Sequence, residues 1–300
     1  MFDIIVVGGG PAGMTAALYC LRAGKSVLVI EKQGFGGQIT YSHRVENYPG
    51  IKEMSGNEFA DKLMEQILAQ GAELELSTVE KIVDCGDVKK VITGDGEYEA
   101  KAVIVATGAT ARKLGVPGEE ELIGAGVSYC AVCDGAFYKG EDVAVIGGGS
   151  TALQDAMFLA AYCTKVYIVH RRDEFRGEKS LVQKLRDLDN VEFVLDSVLT
   201  AVNGEDVVNS VAVENVKDGS KREITVKGVF MAVGQEPSTD VVKDILDIDD
   251  YGYIDSEEDC KTKLNGIFVA GDCRRKQIRQ LTTAVADGSV AALAACEFIS

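Results

Sequence analysis

Two glycine turns at matching points of a repeated pattern constrain this chain more than any other feature. The first is Gly8-Gly9-Gly10-Pro11-Ala12-Gly13 and the second is Gly147-Gly148-Gly149-Ser150-Thr151-Ala152. Each follows a short apolar run, residues 2–7 and 142–146, of the kind that forms a strand buried on both faces. An Ala- and Leu-rich helix is predicted after each, over 14–23 and 152–162, and then another apolar strand, over 26–31 and 165–170. Glu31 lies 23 positions after Gly8, and His170 lies 23 positions after Gly147. A repeated strand, glycine turn, helix and strand predicts an α/β fold with two Rossmann-like three-layer dinucleotide-binding domains.

The rest of the chain is placed around that repeat. A third strand-and-glycine segment, Gly266 to Asp272, has no glycine turn before it and must complete one of the two units. The economical arrangement inserts the second unit into the first. The expected domains are then 1–112 with 240–300, and 113–239, with crossings near 111–117 and 234–240. Residues 57–70 read as an amphipathic helix with Phe59, Leu63, Ile67 and Leu68 on one face. From Glu73 to Ala100 the period falls to two, which predicts a small antiparallel meander turning at Gly94-Asp95-Gly96. Ala102 to Ala106 is read as a further strand closed by Thr107-Gly108. Residues 191–226 are expected to form more meander-like strands, with turns at Asn203-Gly204 and Asp218-Gly219. Residues 229–233 make a strand ending at Gly234.

Composition removes several function classes. With 300 residues and 46% hydrophobic content there is material for two ordinary domains. The formal charge of −16 leaves no general basic face for nucleic acid or an anionic membrane. No apolar run is read as long enough to span a membrane. The N-terminus runs straight into a buried strand rather than a signal peptide, so a cytoplasmic location is expected. Two histidines, His43 and His170, are too few for a His-rich metal site. Six of the eight cysteines stand singly and read as small buried hydrophobes. Cys273, after Gly271-Asp272, is expected near a cofactor.

In the first turn, Gly8 permits the tight bend, Gly10 admits a pyrophosphate and Gly13 lets helix pack on strand. The helix N-terminus then faces the phosphates. Glu31 stands where an acid accepts a hydrogen bond from a ribose hydroxyl. Gly147, Gly149 and Ala152 take the same parts in the second turn. There, however, the strand ends in His170-Arg171-Arg172, with Arg176 four residues on. Positive charge at that point suits a ribose 2′-phosphate. The two turns are therefore expected to hold different dinucleotides, the second being NADPH.

The remaining motif is Ser128-Tyr129-Cys130-Ala131-Val132-Cys133-Asp134-Gly135, which holds the one Cys-x-x-Cys of the chain. Zinc needs four ligands, and no second pair exists. A redox dithiol that stores two electrons is the reading that remains. Asp134 is either the group that exchanges a proton with the leaving thiolate or a solvated turn acid.

These segments together resemble the low-molecular-weight thioredoxin reductases of the bacterial type, along essentially the whole chain. The resemblance is carried by Gly8–Gly13, Gly36-Gly37-Gln38, Val45 to Gly50, Ala106-Thr107-Gly108-Ala109, Cys130–Gly135, Gly147–Ala152, His170–Arg176, Gly271-Asp272 and Arg279-Gln280. It implies FAD in the first unit, NADPH in the second, thioredoxin or a thioredoxin-like protein as partner, and a homodimer. Pro11, Ala12 and the stretch from Glu31 and Lys32 to Gln38 would line FAD, with Asn47 near the flavin. Ala106, Thr107 and Gly108 would lie beside it, and Gly271 and Asp272, with Arg279, Gln280 and Leu281, would close over the ribityl chain and ring. Ser150, Thr151, His170 and Gly234 would join the NADPH site. Cys133 would face the flavin, Cys130 would attack the partner, and Asp134 matches the family's acid. The family reconciles these contacts by rotating one domain on the other about the two crossings.

Two departures are visible. Gln154 stands where many members carry an acid. The segment Cys273–Gln277 is short and basic, and is expected to tune flavin or partner contacts. A flavin-dependent reductase of another small redox protein, and a flavin redox sensor without turnover, remain alternative readings.

Overall fold

The computed structural model of the chain describes residues 1–300. They form two compact units, one of Met1–Thr110 with Glu236–Ser300 and one of Ala111–Gln235.

In the first unit the chain makes β1 (Phe2–Val7), α1 (Pro11–Arg22), β2 (Val27–Glu31), α2 (Gly56–Ala69) and β3 (Glu73–Leu76). It continues with β4 (Val79–Asp84), β5 (Lys89–Thr93), β6 (Gly96–Val105) and the short β7 (Ala109–Ala111). The sheet runs β3-β2-β1-β6-β5-β4, with a late strand, Ile267–Val269, added against β6. Alternate residues of the apolar strands feed separate cores. Ile4, Val6, Val29 and Ile104 pack with Met14, Ala17 and Ala291 on the helical side. Ile5, Val7, Leu28 and Val103 pack with Ile82, Val91, Val242 and Leu246 on the other. A fully apolar strand is the expected result of two such covered faces.

Three expectations are corrected here. Residues 73–76 are not part of a meander: β3 lies parallel to β2, with Leu28 beside Glu73, because α2 carries the chain back over the sheet before it. Residues 102–105 are not a separate strand but the second half of β6. Its first half is antiparallel to β5 and its second half is parallel to β1, so the side-chain pattern changes where the partners change. Leu68 is exposed, while Phe59 and Ile67 are buried, so the apolar face of α2 is narrower than its sequence suggests.

The second unit contains β8 (Val127–Ser128), α3 (Ala131–Asp134), β9 (Asp142–Ile146), α4 (Ser150–Ala160), β10 (Lys165–Val169) and α5 (Lys179–Arg186). It continues with β11 (Val191–Val194), β12 (Ser197–Gly204), β13 (Val208–Asn215), β14 (Lys221–Thr225) and β15 (Gly228–Met231). One sheet is wholly parallel, in the order β11-β10-β9-β15-β8, and β12-β13-β14 form an antiparallel sheet. Val143 and Val145 face Leu153 and Leu159 of α4, while Ala144 and Ile146 face Leu199 and Val211 of the antiparallel sheet. Residues 191–194 thus belong to the parallel sheet rather than the meander. Asn203-Gly204 ends β12 as an irregular pair rather than forming the turn.

The chain closes with β16 (Gln235–Pro237), β17 (Ile267–Val269) and α6 (Leu281–Phe298), which returns to the first unit. No helix was read from the sequence at 281–298. By length and composition α6 is apolar enough to cross a membrane, contrary to the reading that no run approaches that length. Here Ala284, Gly288, Ala291, Ala292 and Ala295 bury one side of it. A Cβ on Gly288 would stand 2.3 Å from the Ala12 carbonyl oxygen, so α1 and α6 touch backbone to backbone. Five of the six free cysteines are buried as expected, but Cys85 is exposed.

Candidate active site

The first glycine turn links β1 to α1. Gly8 has φ +110°, and a Cβ there would stand 2.3 Å from the Ala106 carbonyl oxygen. A Cβ on Gly13 would be 1.9 Å from the carbonyl oxygen of Gly8 itself. Gly10 differs: its added Cβ meets nothing nearer than Gly37 Cα at 4.0 Å. The turn is closed on the protein side and open at Gly10. Helix α1 begins at Gly10 with Pro11 in its first turn and no side-chain cap. Its first N–H groups are left for an anion. Glu31 fastens this arrangement: Oε2 accepts from Gly9 N at 2.8 Å, and Oε1 accepts from Lys32 N and Gln33 N.

Other residues singled out in the sequence gather in this unit. Gly36 and Gly37 have φ +120° and +63°, and a Cβ on Gly37 would be 3.2 Å from Gly10 Cα. Gln38 follows, exposed, in the short helical turn Gly37–Tyr41. Asn47 Nδ2 donates to Gln280 Oε1 at 3.4 Å, which brings together positions more than 230 apart in sequence. Gln280 caps α6 just before Leu281, its N–H donating to Thr283 Oγ1 at 3.1 Å. Buried Ala106 ends β6; Thr107 donates to the Ser238 carbonyl, and Gly108 accepts from Ser238 N. Gly271 approaches Ala12 and donates its N–H to Asp287 Oδ2 at 3.0 Å. Arg279 lies over the Tyr253 ring at 3.8 Å and donates to the Asp272 carbonyl.

Asp272 Oδ1 is buried without a hydrogen bond, although Lys276 Nζ stands 3.2 Å away. Burial pushes its carboxyl pKa up. An unmet acceptor, an uncapped helix and an open Gly10 cradle fit a dinucleotide with a pyrophosphate and hydroxyl groups. In the basic segment Cys273–Gln277, expected to tune flavin or partner contacts, Arg274 and Lys276 turn inward, while Arg275 is exposed beside Asp255. Arg274 donates to both oxygens of Asp287, at 2.9 and 3.1 Å, and Lys276 donates to Oδ2 at 2.9 Å. Burial alone would push the Asp287 carboxyl up; these two cations outweigh it and hold it below the usual range. Cys273 is fully buried, with its thiol toward the Ala270 and Val105 carbonyls.

The second turn repeats this backbone in the other unit. Gly147 has φ +152°, and its Cβ would stand 2.3 Å from the Ala232 oxygen. Nothing lies within 4 Å of a Cβ on Gly149, which precedes α4 without a side-chain cap. Ser150 and Thr151 are exposed in the first turn of α4, and Ala152 is buried. Gly234 has φ +113° and open space around it. Arg171, Arg172 and Arg176 are exposed, and Arg176 N donates to Gly148 O at 2.9 Å, which holds the arginine loop against the turn.

His170 is placed differently from the three arginines. Its ring is buried against Gly148, stacks on Phe175 at 5.1 Å and bonds the Glu174 carbonyl through Nε2 at 3.1 Å. Burial pushes its pKa down, and the charges of the three arginines push the same way. The open cradle at Gly149 and the exposed guanidinium groups fit a phosphate-bearing dinucleotide.

Cys130 and Cys133 form a disulfide with Cα atoms 5.2 Å apart, at the start of α3 in this same unit. Cys133 N points at Cys130 Sγ at 3.2 Å, and Asp134 N donates to Cys130 O at 3.1 Å. Ser128 Oγ donates to Asp134 Oδ2 at 2.6 Å and accepts from Cys130 N at 3.0 Å. Asp134 is thus held, half-buried, by a hydroxyl that also accepts the backbone N–H of Cys130.

The sequence reading missed Ser128 in this role, and it missed Glu119. Glu119 is fully buried. It accepts the N–H groups of Leu114 and Gly115, at 3.1 and 2.7 Å, and the Tyr129 hydroxyl at 3.0 Å. It ties the residue before Cys130 to the loop that opens the unit. Its only signal in sequence was an acid after Pro117-Gly118.

Comparison with known proteins agrees with this geometry. The profile of the pyridine nucleotide-disulphide oxidoreductases matches residues 2–288. The chain belongs to that family. A thioredoxin reductase structure from Streptococcus pyogenes superposes with a TM-score of 0.96 at 45% identity, covering 99% of this chain and 98% of that one. A 34.2 kDa protein of the rubredoxin operon of Clostridium pasteurianum is 43% identical over 99% of this chain and 97% of its own length. A bifunctional thioredoxin reductase/thioredoxin of Mycobacterium leprae is 43% identical over 97% of this chain, which spans 64% of that protein.

Proposed function

We propose that this member of the family is an NADPH-dependent thioredoxin-disulfide reductase that holds FAD in its first unit and NADPH in its second. One observation carries the reading. A Cys130–Cys133 disulfide, with a fixed acid beside it, shares a unit with a glycine turn flanked by three exposed arginines. Similarity to the reductases of Streptococcus pyogenes and Mycobacterium leprae supports the same assignment.

The residues divide the work as follows. The α1 N-terminus and open Gly10 take the FAD pyrophosphate, and Glu31 offers its remaining lone pairs to a ribose. Asp272 Oδ1 accepts from the ribityl chain, and Asn47 and Gln280 stand beside the flavin. Gly149, Ser150 and the α4 N-terminus take the NADPH pyrophosphate, while Arg171, Arg172 and Arg176 hold its 2′-phosphate. His170 keeps the turn packed from behind. When bound, FAD supplies the two-electron relay between NADPH and the protein disulfide. Cys133 would be the thiol that takes these electrons, and the Cys130–Cys133 bond would open as it accepts two of them. Asp134, steadied by Ser128, exchanges a proton with the thiol that leaves. Cys130 thiolate then attacks the disulfide of thioredoxin, and Cys133 resolves the mixed disulfide, returning the partner as a dithiol. The reading also includes a homodimer located in the cytoplasm.

The test is NADPH oxidation by the flavin-loaded protein with and without oxidised thioredoxin, on three chains. The unmutated protein is expected to turn over only with thioredoxin. Cys130→Ser and Cys133→Ser are each expected to lose turnover, and Cys133→Ser is expected to accumulate a mixed disulfide through Cys130. A protein that consumes NADPH at the same rate without thioredoxin, or a Cys130→Ser variant that traps the partner, overturns the scheme.

A further inference from the structure

Outside the site described above, two buried cysteines meet between helices. Helices α1 and α6 run side by side in the same direction: Ala12 contacts Gly288 near their starts, and Cys20 Sγ reaches the Ala292 carbonyl at 4.0 Å further along. Gly288 makes this approach possible, because any side chain there would strike the α1 backbone. Cys296 lies four residues after Ala292 and is buried in the same core as Cys20. A helical side chain leans toward the N-terminus of its helix, over the preceding turn. The Cys296 thiol is therefore directed back toward Ala292, where the Cys20 thiol already sits. This places the two thiols side by side in the contact between α1 and α6.

The pair is unequal. Cys20 is fully enclosed, and Cys296 keeps 8% of its surface open. The Cys20 thiol beside it holds the Cys296 pKa below the usual thiol range against the pull of burial, and Lys25 assists; Asp3 opposes, but its carboxylate is engaged by Lys101 and Ser26. Cys20 is shifted upward by the same contact and by burial. The single buried cysteines go the other way: burial pushes Cys163 up to about 11 and Cys260 up to about 12.

We propose that Cys20 and Cys296 are a second redox-active dithiol, oxidised by small hydroperoxides to a disulfide that joins α1 to α6. The oxidant is named by access, since a thiol with so little of its surface open excludes a protein disulfide and leaves a small oxidant such as a hydroperoxide. Cys296 thiolate attacks the O–O bond, which breaks. Cys296 becomes a sulfenic acid and the distal fragment leaves, with a proton, as water or an alcohol. Cys20 then attacks the sulfenic sulfur; the S–S bond forms and water leaves. The two thiols lose two electrons, and the peroxide gains them. The bond would clasp α6, whose first residues Gln280 and Leu281 belong to the flavin side, to the helix that carries the first glycine turn. This inference does not depend on the partner assigned above.

The experiment uses the purified, flavin-loaded protein without NADPH, treated with hydrogen peroxide, blocked with an alkylating agent and digested without reductant. The expected result is a linked peptide pair containing Cys20 and Cys296, lost on reduction, with the reaction faster at pH 8 than at pH 6 as the thiolate fraction rises. Cys296→Ser should abolish the link, and Cys85→Ser, which removes the exposed thiol, should leave it intact. Modification of Cys85 with no linked pair overturns the proposal. So does oxidation of Cys296 to a sulfinic acid while Cys20 remains alkylatable.

Discussion

The two glycine turns share a backbone and differ in how each is fastened. In the first, the Glu31 carboxylate accepts the Gly9 N–H, so an acid both closes the turn and offers spare lone pairs outward. In the second, the His170 ring fills the space beside Gly148, and its Nε2 is engaged with the Glu174 carbonyl. Both strand-end residues therefore grip the middle glycine of their turn, one by hydrogen bonding and one by packing. Recognition in the second turn passes to the arginines that follow. The third glycine separates the turns as well: Gly13 has no room for a methyl group, whereas Ala152 carries one. Equivalent positions in a repeat can thus share a geometric duty without sharing a chemical one.

The sharpest break of this comparison is a swap at the third position. Gly13→Ala places a methyl group 1.9 Å from a backbone oxygen that cannot move without shifting β1 or α1. A loss of about 3 kcal/mol or more is expected, with failure to retain flavin, since overpacking against backbone is poorly relieved. Ala152→Gly should cost only about 1 kcal/mol, the helix-propensity penalty. Denaturant unfolding of both variants measures the asymmetry, and equal losses would show that the turns are equally tight.

Next in size is the charge that follows His170. Each charge-assisted contact to phosphate contributes about 1.5–3 kcal/mol, so Arg171→Ala with Arg172→Ala should cost roughly a hundredfold or more in NADPH preference. KM for NADPH should rise while NADH use is spared. An unmutated protein that uses both nucleotides equally would contradict the assignment of that loop.

A smaller effect tests the open cradles. Gly10→Ala and Gly149→Ala meet no protein atom closer than 4.0 Å at the first and none within 4 Å at the second. Each should leave the unfolding of cofactor-free protein within about 1 kcal/mol of the parent, the cost of a helix N-cap change. Each should weaken its own dinucleotide about tenfold or more, read by flavin release for Gly10→Ala and by NADPH titration for Gly149→Ala. Cross effects, with Gly10→Ala weakening NADPH alone, would reverse the assignment of the two turns.

The smallest expected effect lies on α4. Burial pushes the Asp155 carboxyl well above the usual carboxylate range, up to about 6. The folded state then holds this proton more tightly than the unfolded chain. Its contribution to stability is greatest below pH 4 and is lost as pH rises through about 6. The full rise would correspond to about 3 kcal/mol, but the side chain is only half-buried and keeps part of its hydration, so the always-neutral Asp155→Asn should stabilise the protein by about 1 kcal/mol at pH 8 and change little at pH 4. Thermal unfolding at the two pH values checks this, and a gain at pH 4 equal to that at pH 8 would remove Asp155 as the titrating group.

Much of the fold was legible because its signals are local. A glycine at φ +110° or an apolar strand buried on both faces leaves its mark on adjacent residues, so β1, α1, β2 and their counterparts β9, α4 and β10 could be read directly. Boundaries failed where partners changed partway along a strand. Nothing local in Glu73–Leu76 states that it pairs parallel with β2, and nothing in residues 96–105 marks where β6 exchanges an antiparallel neighbour for a parallel one. Helix α6 escaped notice because its buried side is made of Ala and Gly, which lack the contrast that a Leu stripe against charge provides.

The site divides along the same line. Residue types and spacing determined that two nucleotide turns, a dithiol and an acid are present, because each needs only a few neighbouring residues to express its chemistry. Tertiary structure decided which charges face outward. Arg274 and Lys276 look like ligand-binding cations in a basic segment, yet they close on Asp287, a residue of the last helix. Asp134 looks like a turn acid until Ser128 is folded back onto it. His170 reads as a nucleotide contact until its ring is packed on Gly148. Cys20 and Cys296 are isolated thiols in the chain and a pair only because a glycine lets two helices touch. In each case the deciding partner is brought in by the fold. A buried charge or thiol takes its properties from what lies within a few ångströms, and that neighbourhood is set by packing rather than by sequence order.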